Sequence, residues 1–330
     1  MPSLQNYHSF HLNAQAQQLK TFHDVPSALS LCRQYPQHYL LGEGSNTVFI
    51  EDYDGAVLLN RITGIEVSTS ATAVNLRVGA GENWHNLVTT ALAQGWHGME
   101  NLALIPGAVG ASPIQNIGAY GLEVADFISS VEMVELATGQ TQILNNTECQ
   151  FGYRDSIFKQ ALMGKVLITH VNFSLPKAYT PNTRYGELKA LETPTPQNIY
   201  NEVIRVRRAK LPDPEVTGNA GSFFKNPVIS ASAFDVLQAR YPDVPHYPVA
   251  NGKVKIPAAW LIDQSGYKGK QVGKVKCHPT QPLVLTNVGQ ATGPDVVLLA
   301  REIMDTVKNR FDVGLEPEVR LVGKEGLIEL

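Results

Sequence analysis

The chain has 330 residues, of which 43% are hydrophobic and 17% are charged, and its formal net charge is -3. This length and hydrophobic content are enough for more than one domain with a buried core. Lysine and arginine are dispersed along the chain. The composition therefore argues against a nucleic acid partner and favours small metabolites as ligands.

The N-terminal sequence and the cysteines argue against two further classes of protein. The N-terminus has no basic start and no apolar run, and no segment is apolar over the length of a membrane span. A cytoplasmic protein without a membrane partner is therefore expected. We also expect a monomer. Cys32, Cys149 and Cys277 are widely spaced and form no Cys-x-x-Cys pair. We expect reduced core thiols, with neither a disulfide framework nor a metal site.

The first part of the chain reads as short strands around glycine turns. Strands are predicted at residues 39–41, 48–50, 56–59 and 73–78. Helices are predicted at residues 26–33 and 84–92, and the second of these ends at Gly95.

The second part combines antiparallel strands with amphipathic helices. Residues 131–144 alternate on both sides of Thr138-Gly139, which predicts a hairpin, and residues 166–175 alternate again. A basic helix is predicted at residues 202–210, directly before the proline-rich boundary at residues 211–214. Later helices are predicted near residues 233–239 and 296–307, with apolar stretches at 258–262 and 283–285 and a last strand at 315–321. The pattern is that of an α+β protein.

Three glycine clusters could hold a phosphate through backbone N–H groups. Residues 42–47 and 79–84 each contain Gly-x-Gly but lack the third glycine of the dinucleotide fingerprint, so a Rossmann fold is not predicted. The longest cluster, residues 105–121, is too long and too rich in glycine for a simple hairpin loop. Each cluster taken alone is more typical of a turn than of a binding site.

A serine lies within the segment GNAGSFFKNP, at residues 218–227. Ser222 does not fit the hydrolase pattern G-x-S-x-G, because Phe224 occupies the position of the second glycine. Taken alone, the segment is most simply interpreted as a loop in which Ser222 bonds a local amide.

Six segments, in this order along the chain, carry a family resemblance: GEGSN, GAGENWH, NLALIPGAVGASPIQNIGAYG, FGYRDSIFK, LPDPEVTGNAGSFFKNP and LEPEVR. Together they resemble the UDP-N-acetylenolpyruvoylglucosamine reductases, the MurB flavoenzymes of peptidoglycan synthesis, from about residue 41 to residue 320. Residues 179–188, YTPNTRYGEL, resemble the tyrosine-bearing loop of the type I members. The resemblance implies reduction of UDP-N-acetyl-3-O-(1-carboxyvinyl)-glucosamine to UDP-N-acetylmuramate, with NADPH as co-substrate and FAD bound non-covalently.

The same resemblance implies a fold and a domain division. A two-lobed FAD-binding domain of the vanillyl-alcohol-oxidase-like (PCMH) type is expected, followed by a C-terminal α+β substrate-binding domain. The implied ranges are residues 1–62 for the first lobe, 63–211 for the second lobe and 212–314 for the substrate-binding domain. Residues 315–330 are expected to return to the first lobe.

The resemblance also implies which residues bind the cofactor and the substrate. The implied FAD-binding residues are Gly42, Glu43, Gly44, Ser45, Asn46, Thr47, Ile105, Pro106, Gly107, Ala108, Gly110, Ala111, Ser112, Asn116, Gly118, Ala119, Tyr120 and Gly121. The implied substrate-binding residues are Tyr185, Lys210, Asn226, Tyr247, Lys268 and Gln281.

Three residues are implied to be catalytic. Arg154 would bind the substrate carboxylate through two parallel hydrogen bonds, although a salt bridge to Asp155 or to a nearby glutamate is the simpler interpretation of the arginine alone. Glu318 would donate a hydrogen bond to the developing enolate, and the spacing leaves Glu316 as an alternative. Ser222 would protonate the substrate carbon, a role that needs a cation nearby.

Two points stay open at this level. The cation beside Ser222 could be Lys225 or Lys210. An alcohol or lactone oxidase on the same FAD-binding domain, or a nucleotide-sugar-binding module without catalysis, would retain the glycine loops. An oxidase would not need the proton-donating serine.

Overall fold

The computed structural model describes all 330 residues, which form two compact units. The first unit comprises residues 1–16, 44–54 and 210–330, and the second comprises residues 17–43 and 55–209. None of the helices combines the length and the hydropathy that crossing a lipid bilayer requires.

The regular elements are short and mixed along the chain, as an α+β fold requires. The helices are α1 (Val25–Gln34), α2 (Trp84–Ala93), α3 (Pro196–Lys210), α4 (Ala231–Arg240), α5 (Ala258–Gln264) and α6 (Gly293–Phe311). The strands are β1 (Ala16–Phe22), β2 (His38–Leu41), β3 (Thr47–Phe49), β4 (Tyr53–Asn60), β5 (Ile65–Thr69), β6 (Ala73–Gly79), β7 (Gly118–Ala119), β8 (Leu122–Glu123), β9 (Ile128–Glu135), β10 (Thr141–Asn145), β11 (Val166–Pro176), β12 (Asn219–Ser222), β13 (Val228–Ser230), β14 (Tyr247–Pro248), β15 (Lys253–Lys255), β16 (Gln271–Val272), β17 (Val275–Cys277), β18 (Val284–Asn287), β19 (Arg320–Val322) and β20 (Leu327–Ile328).

The second unit is built on an antiparallel sheet of five strands in the order β10-β9-β11-β6-β5. Helix α2 is capped by Asn83, whose side chain accepts the N–H of Asn86, and it buries Trp84 and Leu87 in the core of this unit. The Trp84 indole N–H donates to the Leu102 carbonyl at 2.9 Å, so the buried ring has its polar atom satisfied. A smaller sheet, β1-β4-β2, belongs mainly to this unit.

The first unit has its core around helix α6. This helix begins with a capping box between Thr292 and Asp295, and it buries an apolar stripe that includes Val296, Leu299 and Ile303. The sheets β12-β18-β17-β16, β13-β15-β14 and β20-β19-β3 also belong to this unit. In the last of these sheets, β19 pairs parallel with β3, so the end of the chain joins a strand near its start.

Most predicted elements are present, but two predicted boundaries were wrong. The helix predicted at residues 202–210 is the second half of α3, which begins at Pro196. The Thr195 hydroxyl caps it, and proline is well suited to the first helical position. The strand predicted at residues 315–321 is regular only from Arg320. Pro317 has no N–H to donate and makes a single bridge, to Phe224.

Candidate active site

Ser222 ends a bulged strand in the first unit. Asn219 lies opposite Thr286 and Ser222 lies opposite Val284, so β12 has one residue more than β18 over this stretch. Gly221 has a φ of 69°, and its N–H donates to Asn219 Oδ1 at 3.0 Å. Such a bulge uses a glycine in the left-handed region and redirects the side chain that follows.

Two buried aromatic rings fix the backbone next to Ser222. Phe223 and Phe224 are each 1% exposed, and their rings meet edge to face with centroids 5.0 Å apart. Ser222 itself is half-buried, and its hydroxyl makes no hydrogen bond within the protein. The hydroxyl is therefore not held by a local amide, unlike that of an ordinary turn serine.

Glu316 and Glu318 differ in their surroundings. The Glu316 side chain is 75% exposed, and its carboxylate lies 2.8 Å from the Lys225 ammonium. Glu318 is half-buried, and its N–H donates to the carbonyl of Phe223, the residue after Ser222, at 2.7 Å. The structure thus distinguishes two glutamates that the spacing left equivalent, and it brings the backbone of Glu318 next to that of Ser222.

Residues 44–47 of the first glycine cluster lie beside Glu318 in the same unit. The Asn46 side-chain amide donates to the Glu318 carbonyl at 3.2 Å, and the N–H of Arg320 donates to the Asn46 carbonyl at 2.9 Å. Gly44 has a φ of 69°, and a Cβ there would collide with the Tyr7 carbonyl oxygen. The Ser45 carbonyl accepts the Ser9 hydroxyl, and Thr47 is buried at the start of β3. Only glycine fits position 44.

Gly42 and Glu43 belong to the second unit, where they contact the other glycine clusters. The Glu43 carboxylate accepts two hydrogen bonds, at 2.8 and 3.0 Å, from the Asn83 side-chain amide. A Cβ on Gly42 would lie 3.0 Å from the Ala108 Cβ. Small residues therefore allow three backbone segments to approach closely, and N–H groups of such segments can converge on a phosphate.

The 105–112 segment is held against the 79–84 segment by its backbone. Gly107 has a φ of 119°, and the Gly110 N–H donates to the Ala80 carbonyl at 2.9 Å. The Ser112 hydroxyl is bonded internally, to the Val109 carbonyl. Ile105 is half-buried, Pro106 and Ala111 are exposed, and Gly107, Ala108, Gly110 and Ser112 are buried.

Two arginines next to these loops were not predicted from the sequence. Arg61 Nη1 donates to the Gly42 carbonyl at 3.0 Å, and Arg207 Nε donates to the Leu104 carbonyl at 3.2 Å. Neither guanidinium has a carboxylate partner. Burial lowers the pKa of Arg207, and burial also raises the pKa of nearby Tyr120, an effect that the Arg207 charge opposes. The only feature of the sequence that pointed to Arg207 is the basic composition of the predicted helix at residues 202–210.

Arg154 contacts the second half of the long glycine cluster. It has a φ of 54°, and its guanidinium donates to the Gly118 carbonyl at 2.9 Å and to the Asn116 carbonyl at 3.4 Å. The Asn116 side chain in turn donates to Glu123 and to the Gly152 carbonyl. The Asp155 carboxylate accepts hydrogen bonds from the Gln160 side-chain amide.

Tyr185 lies next to the tip of the same loop. Gly118 and Ala119 pair with β8, and Tyr120 and Gly121 make the turn with φ values of 48° and 83°. The Tyr120 and Tyr185 rings meet edge to face with centroids 6.4 Å apart, and the Tyr185 side chain is 52% exposed. The second unit thus brings together Arg154, residues 116–121 and Tyr185.

The remaining predicted substrate residues all belong to the first unit and are separated there. Asn226 Oδ1 accepts the Ala258 N–H at 2.9 Å, and Tyr247 is 50% exposed on β14 of the adjoining sheet. Lys268 lies 3.4 Å from Asp263, Gln281 precedes β18, and Lys210 is the exposed last residue of α3. No contact joins these residues into one cluster.

The site residues fit a flavin dinucleotide and offer no metal site. The N–H groups of residues 109–112 are bonded to backbone carbonyls, whereas those of residues 42–44 have no acceptor in the protein and are available to a diphosphate. Arg61 and Arg207 provide positive charge that no carboxylate neutralises. No group of three histidine, cysteine, aspartate or glutamate side chains lies close enough together to hold a metal ion.

Comparison with known proteins finds two matching family models and relatives that cover the whole chain. Residues 16–145 match the model of an FAD binding domain, and residues 213–322 match that of the UDP-N-acetylenolpyruvoylglucosamine reductase C-terminal domain. The reductase of Pseudoalteromonas atlantica is 49% identical over 100% of this chain and 96% of its own length. That of Escherichia coli is 52% identical over 87% of this chain and 84% of its own. The crystal structure of the reductase MurB from Thermus caldophilus has the same fold, with a TM-score of 0.69, 24% identity and 97% coverage of both chains.

Proposed function

The chain belongs to the UDP-N-acetylenolpyruvoylglucosamine reductase family, and on that premise we propose that its own residues carry out the family reaction. The protein is an FAD-containing, NADPH-dependent oxidoreductase. It reduces the enolpyruvyl ether of UDP-N-acetylglucosamine to the lactyl ether, which yields UDP-N-acetylmuramate for peptidoglycan synthesis. Activity as an alcohol or lactone oxidase is not favoured, because the relatives that cover the whole chain are reductases.

The glycine loops are the proposed cofactor site. Bound FAD would supply the hydride chemistry, with NADPH as the hydride source and the substrate alkene as the acceptor. Residues 42–47 and 105–112 would hold its diphosphate and ribityl chain, and residues 116–121 would lie near the flavin. The support for this is the close approach of the glycine backbones and the unpaired charge of Arg61 and Arg207.

Two of the three proposed catalytic residues stabilise negative charge on the substrate, and the third donates a proton to it. Arg154 binds the substrate carboxylate, because a guanidinium makes two parallel hydrogen bonds that strengthen as negative charge develops. Glu318 in its protonated form donates a hydrogen bond to the enolate oxygen. Ser222 Oγ delivers the proton to the adjacent carbon. The observation that supports Ser222 and Glu318 as a pair is the hydrogen bond from the Glu318 N–H to the Phe223 carbonyl.

Binding of the nucleotide end is assigned to residues that are exposed enough to contact a ligand. Tyr185 closes over the substrate, and its 52% exposure leaves its ring available. Lys210 and Asn226 lie near the diphosphate, and Tyr247, Lys268 and Gln281 contact the remainder of the nucleotide sugar.

The domain division and the cellular setting are part of the same proposal. The two FAD-binding lobes are residues 1–62 with 315–330, and 63–211, and the substrate-binding domain is residues 212–314. The pairing of β19 with β3 supports the return of the C-terminal segment. We assign the protein to the cytoplasm, because its three cysteines are buried free thiols, as a reducing compartment favours. A monomer acting on small molecules is part of the proposal.

The function is tested by two colour changes in the purified protein. The protein should be yellow, should bleach when NADPH is added without oxygen, and should regain its colour when enolpyruvyl-UDP-N-acetylglucosamine is added. UDP-N-acetylglucosamine, which lacks the alkene, is the control and should leave it bleached. Recovery of colour only on admission of oxygen would favour the oxidase, and a colourless protein would favour the non-catalytic module.

Replacing Glu318 by glutamine should slow reoxidation of reduced flavin by the substrate about tenfold, roughly the value of one net hydrogen bond. Glutamine keeps a donor of similar shape, so the loss is smaller than that caused by removing the side chain. Glu316→Gln is the matched control, because Glu316 is exposed and paired with Lys225. Stopped-flow absorbance of the flavin measures both variants. A larger effect at position 316 than at position 318 would reverse the assignment.

A further inference from the structure

Asn101 links two loops of the second unit through a single buried atom. The residue belongs to the short 3-10 turn Glu100–Leu102 and is 0% exposed. Its Nδ2 donates to the Tyr120 carbonyl at 2.9 Å and to the Asn182 carbonyl at 2.9 Å. Tyr120 lies in the 116–121 loop, and Asn182 lies in the segment of residues 179–188 that we call the Tyr185 loop.

The two loops also contact each other directly on their exposed side. Asn182 Nδ2 donates to the Gly121 carbonyl at 3.3 Å, and a Cβ on Gly121 would lie 3.4 Å from the Tyr185 Cβ. The Tyr120 and Tyr185 rings are in edge contact. Of these connections, the two hydrogen bonds of Asn101 originate from a residue that water does not reach, so they are the least weakened by solvent.

The segment before Asn101 contacts the start of the Tyr185 loop through the His97 ring. The Glu100 carboxylate is 2% exposed and accepts the Gly98 N–H through both oxygens, at 3.0 and 2.9 Å. The rings of His97 and Tyr179 lie 5.6 Å apart. Burial raises the pKa of Tyr179 well above its usual value, and the nearby negative charge of Glu100 raises it further. Residues 97–101 therefore hold this loop at two places.

The chemistry at position 101 is specific to an amide. A primary amide nitrogen supplies two donors from one atom, and both partners here are carbonyl oxygens, so the orientation of the side chain is determined. Its Oδ1 is buried without a hydrogen-bond partner. A buried polar atom without a partner destabilises the fold, so packing alone does not explain an asparagine at this position.

We propose that Asn101 is a positioning residue that couples the Tyr185 loop to the 116–121 loop. Both carbonyls accept from the same nitrogen, so a shift of one loop moves the Asn101 side chain and weakens its hydrogen bond to the other loop. The Tyr185 loop and the 116–121 loop therefore become ordered together. The coupling itself does not depend on the proposed function. Its consequence does, because it states that the 116–121 loop becomes ordered when substrate binds.

Hydrogen exchange in the unliganded protein tests the coupling without reference to activity. Asn101→Asp, which directs carboxylate oxygens at both carbonyls, should raise amide exchange about tenfold in residues 118–121 and in residues 179–186 together. Asn101→Ser, which is smaller and keeps one donor, should raise exchange less and serves as the variant if the aspartate form does not fold. An increase in only one loop, or in residues 99–103 alone, would overturn the proposal.

Asn146 provides a control with the same hydrogen-bond pattern at an exposed position. Its Nδ2 also donates to two backbone carbonyls, those of Ala125 at 2.9 Å and Ile128 at 2.8 Å, and neither lies in the two loops. Asn146→Asp should therefore leave exchange in residues 118–121 and 179–186 unchanged. Equal effects of the two asparagine variants would show a general loss of stability and would contradict a specific link.

A double-mutant cycle with Tyr185 tests the consequence for binding. Tyr185→Ala and Asn101→Ser should each raise KM for the UDP-sugar about tenfold with a smaller change in kcat, since uniform binding is lost. The double variant should show much less than the product of the two factors, because both changes act through one loop. Independent effects would refute the link, whereas a wild-type protein that does not reduce the UDP-sugar would refute the proposed function and leave the exchange result standing.

Discussion

Ser222→Ala is expected to leave reduction of the flavin by NADPH near the wild-type rate and to slow flavin reoxidation by the substrate about 10²- to 10⁴-fold. A positioned acid contributes a factor of this size when it delivers a proton in the transition state. The hydroxyl is not held by any group in the protein, so its removal leaves no partner unsatisfied and should not damage the fold.

Stopped-flow absorbance separates the two half-reactions of this variant. Ser265→Ala is the control, because Ser265 is in the same unit and its hydroxyl is bonded to the Leu261 carbonyl at 2.7 Å. That variant should show both half-reactions at the wild-type rate. Unchanged reoxidation in Ser222→Ala would remove Ser222 from the role of proton donor.

The local structure explains why a serine at this position can work as an acid only within the folded site. The left-handed Gly221 makes the bulge, and the two buried phenylalanines hold the backbone that follows. The glycine and the two adjacent phenylalanines are visible in the sequence, but the local pattern does not predict the bulge. The bulge depends on the pairing of β12 with β18, which begins more than 60 residues later.

Local patterns predicted the elements well because each depends on neighbouring residues. Helix α2 has apolar residues at helical spacing and an asparagine cap, and it begins at the predicted position. Helix α3 was predicted too short, because proline usually interrupts a helical pattern, whereas Pro196 begins this helix. The strand before Arg320 was predicted too long, because its alternation continues through a proline that cannot donate to a ladder.

The parts of the site that sequence reasoning missed depend on contacts between distant residues. Arg207 meets Leu104, and Asn101 meets Asn182, over separations that no periodicity encodes. The family resemblance supplied the roles of Ser222, Arg154 and Glu318, which composition and spacing alone left open. The structure then adds the distinction between Glu316, which is paired with Lys225, and the half-buried Glu318.

Arg154→Lys should lower the rate of flavin reoxidation by the substrate about 10²- to 10³-fold, the loss typical for removal of one preorganised donor to a developing anion. Lysine keeps the positive charge but cannot make two parallel bonds to a carboxylate. It also cannot donate to the Gly118 carbonyl through the same planar group. A left-handed φ of 54° at this residue indicates that the turn is held in place by its surroundings.

Flavin affinity decides whether Arg154 acts on the substrate or only supports the 116–121 loop. The affinity of the apoprotein for FAD, measured by fluorescence titration, should stay within about threefold of wild type if the guanidinium acts mainly on the substrate, less than the effect of one net hydrogen bond. Arg205→Lys is the control, since Arg205 is exposed and bonded to Glu202 on the same helix, and it should change neither quantity. If reoxidation falls only in proportion to lost FAD binding, Arg154 is a support of the loop and not a catalytic residue.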